Sequence, residues 1–238
     1  MRIFAQVWGT CLGLGLALAI APTAGAFEPS DLDRLLRTGA CPACRLQEAD
    51  LAGRTLSRGS PVNGRIAPLD LSNADLRGAR LRRADLGRAD LRGADLTAAD
   101  LGAAELRYAD LRGARLHGTD LSGANLASAR LDEVDLRRAD LRRARLIHTR
   151  LAGARLNGAD LSEALLVRTS FLDADLSGAS LRRAFLSETD LRGARLDGAD
   201  FSGANLLNAD GLTQHQLDQA CGDEATVLPE WLRIPACR

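Results

Sequence analysis

The chain has 238 residues, of which 46% are apolar, 26% are charged and only 3% are aromatic. The apolar fraction excludes disorder of the whole chain, and the balance of 31 basic against 31 acidic residues disfavours both a strongly basic nucleic-acid binder and a strongly acidic decoy. Because five Phe, two Trp and one Tyr cannot fill a core of this size, we expect Leu and Ala to occupy most of the interior.

The first 26 residues are typical of a secretory signal peptide. Arg2 provides a positive start, residues 11–21 form an apolar run too short to span a bilayer, and the Ala-Gly-Ala sequence at 24–26 offers a cleavage site before Phe27. Since the positive region is thin, an uncleaved anchor remains an alternative. We expect export to the periplasm or the extracellular space, with no transmembrane segment after cleavage.

Residues 27–44 follow as a short N-terminal segment. Ser30 with Asp31 can cap a helix over the sequence DLDRLLRT, and Gly39 would end that helix.

Four cysteines remain after signal cleavage, two near each end of the chain: Cys41, Cys44, Cys221 and Cys237. In an oxidising compartment this number suggests two disulfides, for which three pairings are possible, and local pairing is the simplest in an elongated molecule. The Cys-Pro-Ala-Cys motif at 41–44 favours a structural staple. A redox dithiol and a zinc site formed by all four cysteines are the alternatives, and the distance between the two pairs argues against zinc.

From Leu71 to Leu206 an apolar residue recurs at every fifth position, in 28 consecutive places. Only Phe171 and Phe201 replace Leu, and a small residue, usually Ala, stands two positions earlier. On an α-helix this spacing would rotate successive Leu side chains by about 140°, and on a continuous strand they would alternate between faces. The chain must therefore turn once in each repeat, with Leu and Ala pointing inward.

The tandem Ala-(Asp/Asn)-Leu-x-x units resemble the pentapeptide repeat family over roughly residues 45–210. The resemblance implies an all-β solenoid, a right-handed quadrilateral (four-sided) β-helix with four repeats in each coil. Gly stands two residues after Leu in 11 of the 28 repeats, which suits a corner with positive φ. Residues 57–68 break the motif, and we interpret them as degenerate repeats or as a loop.

Both ends of the solenoid need a cover, because exposed strand edges invite aggregation. We expect short α-helical caps, formed by residues 27–44 and by a helix and tail at 211–238. Thr213 can cap the second helix, QHQLDQAC, which Gly222 would end, and Trp231 is expected to pack against the last coil.

Two groups of outward residues depart from the repeating pattern of charges. Five apolar residues fall on one side of the C-terminal half and form a candidate interaction patch: Leu165, Phe185, Ile147, Val167 and Leu207. Either a protein partner or a second copy binds this patch, or the C-terminal tail folds back over it. Six arginines fall on another side and form a candidate basic wall: Arg82, Arg83, Arg142, Arg143, Arg182 and Arg183.

The sequence carries no motif for catalysis, a cofactor, a metal or a small-molecule substrate, and its three histidines are far apart. We therefore predict a non-enzymatic, exported structural or protein-interaction scaffold with no nucleic-acid partner. One alternative is a binding module for an anionic envelope component through the basic wall. A less favoured alternative is the protection of a topoisomerase by DNA mimicry, a function that the family resemblance implies for acidic members.

Overall fold

The computed structural model describes residues 28–54, 61–62, 65–66 and 68–237, so the predicted signal peptide lies outside the described residues. Within these ranges no helix has the length and apolar character needed to cross a membrane. Two helices, α1 (Pro29–Thr38) and α2 (Gln214–Asp218), flank the repeats, and a short hairpin of β1 (Pro61–Val62) and β2 (Arg65–Ile66) lies between them in the chain.

The repeats form a solenoid. Parallel backbone bridges join residues 20 apart, and a two-residue corner separates successive bridge positions, so each coil has four bridges and four corners. The bridge residues therefore stack in four rows, which we number by their first residues: row 1 from Asp70, row 2 from Asp75, row 3 from Arg80 and row 4 from Asp85.

The first three bridges have a different spacing, because Ala40 pairs with Asp70 and Asp50 pairs with Arg80, 30 residues on. The ten additional residues make an excursion that contains the antiparallel hairpin of β1 and β2. Within residues 57–68 the structure describes only Pro68 and these two paired strands, so the choice between degenerate repeats and a loop stays a prediction.

The interior consists of the inward Leu and Ala series. Each central residue from Leu71 to Leu206, including Phe171 and Phe201, is at most 2% exposed. Four threonines replace Ala in this series, and each buried hydroxyl donates a hydrogen bond of 2.5–2.8 Å to a backbone carbonyl 23 residues earlier. These threonines are Thr119, Thr149, Thr169 and Thr189. Their polarity is therefore satisfied inside the core.

Each corner from Asn73 to Gly203 has the left-handed conformation at its second residue, as the glycine positions predict. This φ is 54–69° from Asn73 to Gly203, and it also occurs where the residue is not glycine, as at Arg138 and Ala103. A side chain costs about 1–2 kcal/mol in this conformation, so the closed coils impose strain at every such corner.

Helix α1 begins earlier than the sequence predicts. Glu28 is its N-cap and makes no side-chain capping bond, so the prediction that Ser30 and Asp31 cap the helix is wrong. Pro29 fits the first helical turn, and the Asp31 carboxylate accepts the backbone N–H of Arg45 at 2.8 Å instead. Gly39 ends the helix in the left-handed conformation, as expected.

Helix α2 has the predicted start and a different end. Thr213 forms a complete capping box with Gln216, but the helix ends at Asp218 rather than continuing to Gly222. It ends early because the next residues rejoin the backbone hydrogen bonds of the last coil: Cys221 N–H donates to Ala199 O at 2.9 Å. The expected packing of Trp231 is also wrong, since its side chain is 79% exposed while Leu232 is buried.

The cysteines are paired locally. Disulfides join Cys41 to Cys44 and Cys221 to Cys237, with Cα–Cα distances of 5.4 and 4.8 Å. The first pair is completely buried, as a structural staple would be.

Two adjacent alanines allow the free-energy cost of the left-handed corner conformation to be measured. Ala103 is an exposed corner residue with φ 54°, whereas Ala104 is fully inward. We expect Ala103→Gly to raise the free energy of unfolding by up to about 1 kcal/mol, because it relieves left-handed strain. Ala104→Gly should lower it by about 1–2 kcal/mol through lost burial and added chain entropy. Denaturant unfolding of both variants measures the difference, and equal destabilisation would contradict the assignment.

Candidate interaction surface

The Asp residues of the bridge rows brace the corners that follow them. From Asp50 to Asp200 each such carboxylate accepts the backbone N–H of the first corner residue, two positions on, as Asp100 does from Gly102 at 3.0 Å and Asp120 from Ser122 at 2.8 Å. The sequence shows these residues only as part of a repeating pattern of outward charges. The structure adds a local role, because a short side chain that accepts a nearby N–H stabilises a turn.

The sequence Asp-Leu-Arg strengthens this contact. In all six such repeats the guanidinium binds both carboxylate oxygens, as Arg137 does on Asp135 at 2.8 and 2.6 Å. The arginine hydrogen bonds hold the pKa of the carboxyl below its usual range in each repeat. The six acids are Asp75, Asp90, Asp110, Asp135, Asp140 and Asp190.

The candidate basic wall lies on the corners after row 3, where it is largely neutralised. Four of its six arginines form ion pairs: Arg82 with Asp100 and Asp120, Arg142 with Asp140, Arg143 with Glu163 and Arg182 with Asp200. This surface therefore presents alternating charge rather than a basic stripe.

The candidate apolar patch lies where the sequence spacing places it. Leu165 and Phe185 are bridged neighbours in row 4 and are 37% and 41% exposed. Ile147, Val167 and Leu207 lie on the corners after row 4, and Leu207 is 50% exposed.

The C-terminal tail extends this surface rather than covering it. Val227 pairs with Asn205 as the next residue of row 4 and is 43% exposed. We call the enlarged patch the apolar strip, which consists of Leu165, Phe185, Ile147, Val167, Leu207 and Val227. The sequence missed Val227 because it follows Asn205 by 22 residues, outside the regular spacing.

Two pairs of charges border the strip, one on each side. Arg143 binds Glu163 at 2.9 Å on the corners before row 4, and Arg168 binds Glu188 at 2.7 Å on the corners after it. An apolar centre with a polar rim is the usual composition of a protein interface.

Among the described residues, two clusters bring a carboxylate close to sulfur atoms, namely Asp31 with Cys41 and Cys44, and Asp200 with Cys221 and Cys237. In both clusters the sulfurs belong to a disulfide, which lacks the thiolate that a metal requires. Neither cluster therefore supports a metal site.

A family model described as pentapeptide repeats matches the chain in eight copies, over residues 70–107, 104–143, 144–183 and 169–206. The matched region, 70–206, is more than half of the chain. No curated protein matches it.

Several solved structures are similar to this chain. A pentapeptide repeat protein from the Arabidopsis thaliana thylakoid lumen is 33% identical, over 42% of this chain and 70% of that one, with a TM-score of 0.42. Trypsin-treated QnrB1, a plasmid-mediated fluoroquinolone resistance protein, is 17% identical over 68% and 83%, with a TM-score of 0.40. A pentapeptide repeat protein from the cyanobacterium Cyanothece 51142 is 23% identical over 84% and 97%, with a TM-score of 0.19.

The lowered pKa values predict sensitivity to acid. A carboxyl whose pKa is lower in the folded chain stabilises the fold above the unfolded pKa of about 3.9, and this stability is lost as the pH falls through the folded pKa. We expect the free energy of unfolding to be constant from pH 7 to about 5 and to decline below about pH 4.

Asp135→Asn should weaken this decline and cost at most about 1 kcal/mol at pH 7, because exposed ion pairs are weak. Denaturant titrations between pH 2 and 7 measure both effects, with Asp173→Asn at an exposed corner as the charge control. Equal effects of the two substitutions would contradict the prediction.

Proposed function

Because the chain belongs to the pentapeptide repeat family, we propose that it is an exported, non-enzymatic scaffold that binds a protein through its apolar strip. The observation that carries this proposal is the exposure of neighbouring Leu165 and Phe185 in a row otherwise composed mainly of polar residues. Adjacent apolar side chains on a solvent-exposed surface are typical of a contact site.

The proposal includes the detailed form of the solenoid, a right-handed and four-sided β-helix with a helix over each end. Four corners in every 20 residues support four sides. Leu35 of α1 is buried in the same core as the coils, and Gln216 of α2 donates to the Leu191 and Ala194 carbonyls at 2.9 Å. These contacts are those expected of end caps.

Export is supported by two independent features. The sequence of residues 1–26 has the composition of a signal peptide, and all four cysteines that follow are in disulfides. Binding of an anionic envelope component has less support, because most arginines of the basic wall are paired with acids. DNA mimicry has little support, because acidic and basic residues are equal in number.

A non-enzymatic role agrees with the interior of the described coils, where the Leu, Ala, Phe and Val side chains carry no ionisable group. The four buried threonine hydroxyls already donate to backbone carbonyls. Chemistry would require titratable groups with shifted pKa values in a cleft.

Intact-mass measurement tests export. We expect the protein recovered from the periplasm or the medium to begin at Phe27 and to lack the four cysteine hydrogens that two disulfides remove. The double substitution Ala24→Leu and Ala26→Leu should retain residues 1–26, because a signal peptidase requires small residues there. Recovery of reduced, full-length wild type from the cytoplasm would contradict export.

Crosslinking in the exported fraction tests the scaffold role. Phe185→Glu should reduce the yield of crosslinked protein complexes about tenfold, because it places a charge at the centre of the contact. Leu172→Glu, on a corner after row 1 with 36% exposure, is the matched control and should behave like wild type. Equal complex formation by all three proteins would contradict a contact at the strip.

A further inference from the structure

We infer that the apolar strip binds the same strip of a second copy of this chain, with the two solenoids antiparallel. This inference rests on the proposed protein contact at the strip and identifies its occupant. It follows from the order in which side chains stack along and beside row 4.

Along row 4 the bridges place Arg145, Leu165, Phe185 and Asn205 on four successive coils. We place a two-fold axis in the contact plane, perpendicular to the stack and midway between Leu165 and Phe185. Each row 4 residue then faces the residue of the second copy that lies equally far from the axis on the other side. Leu165 then faces Phe185 of the second copy, and Phe185 faces its Leu165. The charged Arg145 faces the neutral, polar Asn205, so no like charges meet in this row.

The corners after row 4 match under the same axis. Ile147 faces Leu207 of the second copy, which extends the apolar contact on both sides of the centre. One coil closer to the axis, Arg168 faces Glu188 of the second copy. Since Arg168 already binds Glu188 within its own chain, four charges of alternating sign would surround the axis on this edge.

The corners before row 4 are complementary as well. Glu163 faces Arg183 of the second copy, and Arg143 faces the uncharged Gly203. The axis that matches Leu165 with Phe185 therefore also brings both edges of the apolar centre against opposite or neutral groups.

A parallel arrangement does not give this match. With the two-fold axis along the stack, the corners before row 4 would face the corners after it. Ile147 would then meet Arg143, and Arg142 would meet His148. The sequence of the edges therefore selects the antiparallel arrangement.

The contact covers the four coils from Arg145 to Asn205, which span about 14 Å at the ~4.8 Å spacing of neighbouring strands, and Val227 lies one coil beyond it. A contact of this length lies at the small end of specific interfaces, so we expect association in the micromolar range. Sedimentation of the purified exported chain over a range of concentrations measures it.

Charge reversal tests the arrangement. Arg168→Glu and Glu188→Arg should each weaken self-association at least tenfold, because four like charges would then surround the axis. An equal mixture of the two variants should associate at least as well as wild type, since each Glu of one chain would face an Arg of the other. Neither variant's folding can explain recovery in the mixture. Arg107→Glu, two coils outside the contact, is the matched control and should not change association.

A wild-type chain that stays monomeric, or association that neither single variant weakens, would overturn the inference. Failure of the mixture to recover would overturn the antiparallel arrangement. The proposed function is tested separately. If the purified chain is monomeric but Phe185→Glu abolishes complexes in the exported fraction, the proposed function is supported. The strip would then bind a different protein.

Discussion

The position of every residue in the coils depends on backbone hydrogen bonds that join one coil to the next at a spacing of 20 residues. Leu91 N–H donates to Asp110 O, and Asp110 N–H donates to Ala89 O, at 2.8 and 2.9 Å, and the same exchange recurs along the stack. These bonds use groups that all residues except proline possess, so they tolerate almost any outward side chain. The backbone therefore determines which side chains are neighbours, and the sequence determines what each row displays.

This ladder closes only because the chain turns after every fifth residue, and the turn is stabilised where it occurs. The second corner residue accepts a left-handed conformation, even at Arg138. The first corner residue has its N–H held by the preceding acid, as Arg137 is by Asp135. The acids of the bridge rows are thus also part of the turns, and the equal number of basic and acidic residues keeps the net charge at zero.

The sequence predicts correctly those features that depend on interactions between residues close together in the chain. The inward Leu and Ala, the positive φ of the corners and the capping box at Thr213 all follow from a few consecutive residues. The predictions failed where a distant group intervened: Asp31 binds the N–H of Arg45 instead of capping its own helix. The candidate strip followed from spacing alone, but Val227 and the exposed Trp231 depend on how the tail rejoins the last coil, which no repeat encodes.

The ten-residue excursion between Asp50 and Arg80 shows how such a chain can change length. Inserting five residues into the coils would leave Leu and Ala inward, yet it would move every later outward residue to the next row. Placed between Leu165 and Phe185, the insertion would put these two side chains on different rows and divide the strip. The excursion adds ten residues without this effect, because the coils on either side of it keep their phase: Ala40 still pairs with Asp70 and Asp50 with Arg80. In this architecture the core depends on a spacing of five residues, and the surface depends on a spacing of twenty. An insertion of five residues can therefore preserve folding and still change recognition.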